Sequence, residues 1–519
     1  MTLIDYSGSI LSFVVPIVTI VLAITTGRVV ISLFVGAVLG ALMLNGFSLD
    51  SAAYLGGKLK DIFISDGSLE MWTINIFLFL IFLGSVTGLL ALNGSTRAFA
   101  NWARVRVKSK KGASVFTVFL GIVIFIDDYF NAIGVGAISR PITDEFKVSR
   151  AKLAYLLDST SAPMVILTPI SSWGGYVIGI LGTVFAAQHI EISALSAYVQ
   201  MIPMNFYAIL TIGLVLYTAL TSFNIGAMRE HERRAEEEGI LYDPNSSIKN
   251  NEHEIIEGKN GKVYELFITI FTLVAATIGA IFYTGASALK ADSIDFSFVA
   301  SLENADVALA LIFGASAGLF VALIFSILNK NSFSSILNAL YKGAMTMKEA
   351  LIILTVAWLV AAIIKDIHTG AYIASLVNEH LDLAYLPALI FILSAIMAFA
   401  TGTSWGTFGI MIGITVGIAA QTDPSVVLVL LSAVLSGAVM GDHCSPISDT
   451  TILSSIGAQS NHIDHVKTQL PYALIAGFSS LIGFLVLGFS ENLGFAWIAS
   501  LVTIVSIVGF FRMQETKAV

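Results

Sequence analysis

The chain has 519 residues, a net charge of -8, 56% apolar residues and only 12% Asp, Glu, Lys or Arg, where a soluble chain carries roughly 25% charge. Its mean hydropathy of +0.87 and pI near 5.5 exclude a water-soluble domain and a basic surface for nucleic acid. Cys444 is the one cysteine, so intrachain disulfides and cysteine-rich metal or redox sites are excluded, and no G-x-x-x-x-G-K-[ST] string suggests ATP-driven work.

Apolar runs of about 18 to 22 residues recur from Ser9 to Phe511, each long enough to cross ~30 Å of hydrocarbon. The start, Met1 to Ser9, has Asp5, no Lys or Arg and no cleavage pattern after the first apolar run, and reads as a retained span. Crossings are predicted at about 9–26, 28–46, 72–93, 205–222, 264–285, 307–328, 349–366, 470–490 and 493–511. Four stretches are less regular: 113–139, 151–187, 385–421 and 425–457. The longest polar segment, 223–262, mixes bases such as Arg233 with more acids and reads as an exposed tether between halves.

Lys and Arg set the orientation. Arg97 to Lys111 and Lys330 to Lys348 mark cytoplasmic loops, while the loops at 50–70 and 292–306 are net acidic and suit the outside. Basic residues on both sides of 113–139 make it a re-entrant hairpin from the cytoplasm, with its tip at Ile126-Asp127-Asp128-Tyr129-Phe130-Asn131. The same accounting makes 385–421 a hairpin entering from outside, with its tip at Thr401 to Thr407, so that the two hairpins point at each other. Each precedes a long apolar stretch interrupted by polar residues and proline, Asp158 to Pro163 and Gly441 to Pro446. A gap-free overlay on Pro163 and Pro446 also aligns Thr168 with Thr451, Ser171 with Ser454 and Ser172 with Ser455.

The expected fold is therefore an all-α polytopic membrane protein of about eleven crossings, an inverted repeat with two opposed re-entrant hairpins and two broken helices. Residues 1–222 form the first repeat, 223–262 a cytoplasmic linker, 263–490 the second repeat and 491–519 an extra helix and tail, with the N-terminus outside and the C-terminus inside.

Non-helical backbone in lipid exposes N–H and C=O groups that cost several kcal/mol each unless protein, water or an ion satisfies them. Pro163 and Pro446 remove helix bonds, and Ser161, Ser445, Thr450 and Thr451 offer oxygens nearby, a setting for a dehydrated cation such as Na+. Asp127, Asp128, Asp442 and Asp449 lie in apolar surroundings, where burial disfavours the ionised form and a cation restores it, so such an acid exchanges a proton for a cation. Asp158 either positions a ligand or caps a helix, and His443 either relays protons or bonds to the broken backbone. His462, Asp464 and His465 read as a solvated cytoplasmic loop, and Cys444 as a packing residue. Trp173 and Trp405 line a solute path or pack against neighbours.

The strings Phe125 to Asn131, Thr401 to Thr407, Gly441 to Thr451 and Thr468 to Pro471 resemble the NhaC-type Na+/H+ antiporters of the ion transporter superfamily. The resemblance implies a multi-pass secondary transporter of the bacterial inner membrane, with a scaffold, a moving transport domain, a homodimer and elevator-like alternating access. It leaves the substrate open, since such proteins also include carriers of carboxylates, amino acids and drugs such as tetracycline. The first hypothesis is Na+/H+ antiport, with Asp128, Asn131, Ser161, Thr403, Ser404, Asp442 and Asp449 binding the cation and Asp127, Asp442, Asp449 or His443 carrying the proton. The second is that the same cation sites drive a small organic solute, held by Tyr129, Asn131, Trp173 and Trp405 between the tips. Na+ and H+ are the ions moved or coupled, and no cofactor is expected. Isolated polar clusters argue against a channel, and the absence of a nucleophile, base and orienting group argues against an enzyme.

Overall fold

The computed structural model describes residues 3–518 apart from 27, 66, 126–127, 170, 189, 191, 222, 243–257, 259–260, 292, 370–371, 373–382 and 422–423. The described chain is helical apart from a short antiparallel ribbon pairing Ile64–Ser65 with Ser68–Leu69. Seven described helices are long and apolar enough to cross a membrane: Met71–Asn93, Val263–Ala291, Val307–Leu328, Leu383–Thr401, Val427–Cys444, His462–Ser490 and Leu493–Gln514. A bent pair, Ala194–Met204 with Phe206–Thr221 at 48°, makes an eighth if counted as one span. The first two predicted crossings hold helices of 13 and 16 residues, Val14–Thr26 and Val29–Leu44, so the longer of them covers about 24 Å of the ~30 Å of hydrocarbon. Around Leu493–Gln514 little protein packs, and Phe495, Ile498, Val502 and Val505 form an outward apolar face suited to lipid.

Contacts within each half give the chain direction. The Lys110–Val123 and Arg150–Ile166 helices are capped by the hydroxyls of Ser109 and Ser149. Glu232 ties their starts together, 3.0 Å from Lys110 Nζ and accepting the Ser149 N–H at 2.7 Å. Further along, Gly121 faces Thr160 so closely that a Cβ there would lie 2.0 Å from Thr160 Oγ1. Both helices have then advanced by 11 residues, so they run parallel, and the segment between them, ending in Gly136–Glu145, has to run back. The described residues of 113–125 and 128–139 thus double back as a helical hairpin. In the second half, a Cβ on Gly437 would lie 2.2 Å from the Phe391 carbonyl and one on Gly441 2.0 Å from that of Ala395. The Leu386–Thr401 and Val427–Cys444 helices are therefore parallel as well, and Ser404–Gln421 returns between them. Gly402 turns this hairpin at φ +70°, a backbone region that favours glycine. With the turn Leu383–Tyr385, its first arm reaches the 19 residues of a full span, longer than a short re-entrant arm.

The first helix break is displaced from its expected position. Pro163 lies inside the Arg150–Ile166 helix, which continues past it; the helix ends only at Ile166, and the next begins at Ser172. One missing N–H does not unwind a helix whose neighbours stay paired; a side chain that replaces both ends does. Ser171 Oγ lies 2.7 Å from the carbonyls of Val165 and Thr168 and accepts the Gly174 N–H at 2.9 Å, closing one half-helix and opening the next. The second break falls at Ser445–Ser448, around Pro446, with Ser448 capping Asp449–Ala458. The stretch after residue 222 is no bare tether either. Ala227–Glu237 is a helix that buries Met228, His231, Glu232 and Ala235 against the hairpin base, because Glu232 finds a base and a backbone amide there.

Candidate functional site

The hairpin tips and the helix breaks brace each other crosswise. Tyr129, at the first tip, donates its hydroxyl to the carboxylate of Asp449, which opens the helix after the second break. Trp173, just past the first break, meets Trp405 at the second tip edge-on at 5.9 Å and Phe408 at 5.5 Å. Trp173 is fully buried and donates Nε1–H to Asp128 Oδ1 at 3.0 Å. Asp127 lies outside the described residues.

Asn131 is also fully buried. Its amide nitrogen lies 2.7 Å from the Gly121 carbonyl, 2.5 Å from that of Ile124 and 3.4 Å from that of Thr160. Carbonyls only accept, so the nitrogen faces them and Oδ1 points elsewhere, where it meets no donor among the described residues. Ser161 Oγ, beside Thr160 in the chain, is likewise buried without a partner among the described residues. Asp442 has a carboxylate oxygen in the same condition. It is fully buried, its Oδ2 accepts Ser404 Oγ–H at 2.7 Å and Ser404 N–H at 3.3 Å, its Oδ1 makes no well-formed hydrogen bond among the described residues, and the Ser448 side chain also reaches the carboxylate. Polar oxygens in that condition are costly unless a proton or a cation reaches them.

Asp158 has the opposite character. Its carboxylate accepts from Gln469 Nε2 at 2.5 Å, Ser454 Oγ at 3.2 Å and Thr451 Oγ1 at 3.3 Å, with His465 Nε2 3.6 Å away. Its backbone carbonyl accepts from His443 Nε2 at 3.1 Å, which leaves His443 Nδ1 to accept from the Tyr207 hydroxyl at 3.2 Å. Asp158 therefore joins the first broken helix to three elements of the second half, a role beyond capping.

His462 and His465 correct the expectation of a solvated loop. Asn461 caps a helix that starts at His462, eight residues before the predicted crossing at 470, and the i, i+3 spacing places both imidazoles on one face. His465 is fully buried against Gln469 and Ser455, and His462 Nε2 donates to the Pro446 carbonyl at 2.7 Å. Gln469 was legible only as part of a motif string; its position four residues after His465 is the signal that it shares this face.

A cavity of about 400 Å³ adjoins the tips. Trp72, Tyr129, Tyr176, Trp358, Trp405 and Asp449 are among its lining residues, with Thr401 and Thr403 of the second tip. Thr403 is half-buried there, whereas Asn131 and Trp173 are not among the lining residues. Trp72 and Trp358, which sequence reasoning passed over, sit with ring centroids 5.2 Å apart at the starts and middles of helices that flank the tips. Among the described residues no group of three or more His, Cys, Asp or Glu is placed to hold a metal ion in the manner of a transition-metal centre.

An apolar helical chain with polar breaks and buried acids inside it is a multi-pass membrane protein of the secondary-transporter class. The chain belongs to the Na+/H+ antiporter family, whose sequence profile matches residues 164–489. It is similar to an uncharacterized protein of Haemophilus influenzae, with 44% identity over 515 residues, 98% of this chain and 96% of that protein. A malate-2H(+)/Na(+)-lactate antiporter of Bacillus subtilis is 34% identical over 179 residues, 33% of this chain and 36% of that protein. The arginine/ornithine antiporter ArcD of Halobacterium salinarum is 34% identical over 162 residues, 31% of this chain and 32% of that protein.

Proposed function

We propose that this chain exchanges Na+ for H+ across a bacterial inner membrane, with Asp442 holding either ion but not both. The observation that carries the reading is the Asp442 carboxylate, fully buried with one oxygen held by Ser404, the Ser448 side chain nearby, and no cationic side chain paired with it among the described residues. A buried carboxylate of that kind is stable protonated or beside a cation, and unstable as a bare anion. Exchange of the two is then coupled by necessity. Asn131 Oδ1 and Ser161 Oγ are further oxygens open to the cation, and Asp128, Thr403, Ser404 and Asp449 complete the proposed set. Asp127, Asp449 and His443 are the further proton carriers in this reading.

The two parallel helix–hairpin–helix units support the inverted repeat of 1–222 and 263–490. In that scheme about eleven crossings place the N-terminus outside and the C-terminus in the cytoplasm, 223–262 joins the halves inside, and 491–519 adds a helix. Hairpins and broken helices then move together against the remaining helices of a homodimer, elevator-fashion. The test is Na+-driven H+ release from proteoliposomes of the purified protein under an imposed pH gradient. Wild-type protein is expected to exchange and Asp442→Asn to lose exchange; equal Na+ flux in the variant removes the assignment.

A second reading, an organic solute driven by the same cation site, is favoured by the cavity of about 400 Å³, far larger than a bare Na+ requires. Two of the partial relatives carry the names of malate/lactate and arginine/ornithine antiporters. Flux of labelled solutes that depends on a Na+ or H+ gradient tests this reading.

A further inference from the structure

We infer that the cavity beside the hairpin tips binds an organic ammonium ion. The inference rests on the second reading above, that the cavity holds a solute, and adds the sign and chemistry of that solute. Its described lining contains the indoles of Trp72, Trp358 and Trp405, the phenols of Tyr129 and Tyr176, and one carboxylate, Asp449, with no Lys, Arg or His.

Two features fit a cation. Aromatic faces carry the negative end of the ring quadrupole, and indole is the strongest of the three ring types toward ammonium groups. The rings here are tilted rather than stacked flat, Trp72 against Trp358 at 55° and Tyr176 against Trp405 at 53°, so each pair leaves face area uncovered. The second feature is Asp449. Its carboxylate accepts the Tyr129 hydroxyl and the Thr450 N–H, and no cationic side chain is paired with it among the described residues. A carboxylate held by neutral donors on the wall of an aromatic cavity takes either a proton or the positive charge of an occupant, and repels an anionic one.

Alternative occupants fit less well. A carboxylate solute would face Asp449 and electron-rich rings with no base to receive it. A small inorganic cation is best served by a shell of oxygens, whereas a substituted ammonium presents a polarised C–H surface of the kind indole faces accept. Trp72 and Tyr176 are partly exposed, 43% and 36%, and form the rim, while Tyr129, 4% exposed, and Asp449, 6% exposed, form the floor.

The test uses the purified full chain, titrated with choline, tetramethylammonium, malate, lactate and the neutral carbon analogue of choline, in which a quaternary carbon replaces the nitrogen. Binding is read by calorimetry and tryptophan fluorescence, with Na+/H+ exchange measured on the same preparation. Choline is expected to bind saturably and its neutral analogue at least ~10-fold more weakly, the scale of one cation–π pair and one carboxylate together. Trp358→Leu is expected to weaken choline by roughly 3- to 30-fold, and Trp358→Phe to recover part of the loss, with Na+/H+ exchange unchanged in both. Asp449→Asn is expected to narrow the gap between choline and the neutral analogue. Equal binding of the two compounds, or choline affinity indifferent to Trp358→Leu, overturns the inference. Saturable binding of malate or lactate alone overturns it too while sparing the solute reading, and binding of none of the compounds overturns the ammonium inference, the solute reading being decided by the gradient-dependent flux panel. Because Asp449 belongs to both the cavity and the proposed coupling set, the exchange assay is read on the Trp358 variants, whose residue lies outside that set.

Discussion

Asp158 and Asp442 are both fully buried acids at the meeting of the two halves, and their surroundings differ in kind. Asp158 is surrounded by donors: a carboxamide, two hydroxyls and a nearby imidazole reach its carboxylate. Asp442 receives the hydroxyl and amide of Ser404 on one oxygen, while its other oxygen makes no well-formed hydrogen bond among the described residues and only the Ser448 side chain otherwise reaches the carboxylate. A saturated acid fixes the helices that supply its donors, since moving any of them strands a buried charge. An acid left half-supplied has capacity for an ion, at a cost in stability when none is bound. Burial alone does not separate an acid that builds the protein from one that works in it; whether both carboxylate oxygens are held does.

Substitutions can break this contrast. Asp442→Asn is expected to lower Na+-coupled H+ release by about 100-fold or more, the scale of losing the charged partner of a buried ion, with little change in Tm. Asp158→Ala is expected to behave in reverse, costing about 3–5 kcal/mol of stability because it strands Gln469, Thr451 and Ser454 together. Thermal unfolding of both variants in one detergent decides. A large Tm loss for Asp442→Asn and none for Asp158→Ala would invert the assignment. Ser171→Ala addresses the first break and is expected to cost about 1–2 kcal/mol, since one hydroxyl serves two carbonyls and the Gly174 amide. A Tm equal to wild type would show that the break is held by something other than Ser171.

Much of this was legible before any coordinates, and the misses have physical causes. Hydropathy finds spans because hydrocarbon demands about 20 apolar residues, and the membrane helices beginning at Met71, Val263, Val307 and Leu493 lie where the apolar runs are. The Asp128–Asn131 and Gly402–Ser404 tips were visible because polar residues in apolar runs demand a reason. The first break was misplaced because proline is the conspicuous breaker, whereas Ser171, an ordinary serine in the string, makes the caps. His462 and His465 looked solvated because a short polar string at a span end has no intrinsic depth; only the helix start at residue 462 puts them on an inward face. The Trp72–Trp358 pair carries no local signal at all, since the partners are brought together by tertiary packing across 286 positions.

Glu232 is another buried acid, and it sharpens the contrast from the other side. It accepts a backbone amide at 2.7 Å and pairs with Lys110 at 3.0 Å, so it is supplied by a formal charge as well as by a neutral donor. Glu232→Gln keeps a carbonyl for the Ser149 N–H and removes only the charge. The Lys110 side chain is 22% exposed, so water and salt screen the pair, and the expected loss is small, about 0.5–1 kcal/mol. That loss should appear locally, as faster protease cleavage within 227–237, with global Tm and Na+/H+ exchange unchanged. Raising the salt concentration should shrink the difference between wild type and variant, because screening removes the term the substitution deletes. A salt-independent difference would mean that the neutral hydrogen bond carries the docking of this helix. Glu232 would then join Asp158 as an acid defined by its donors and not by its charge.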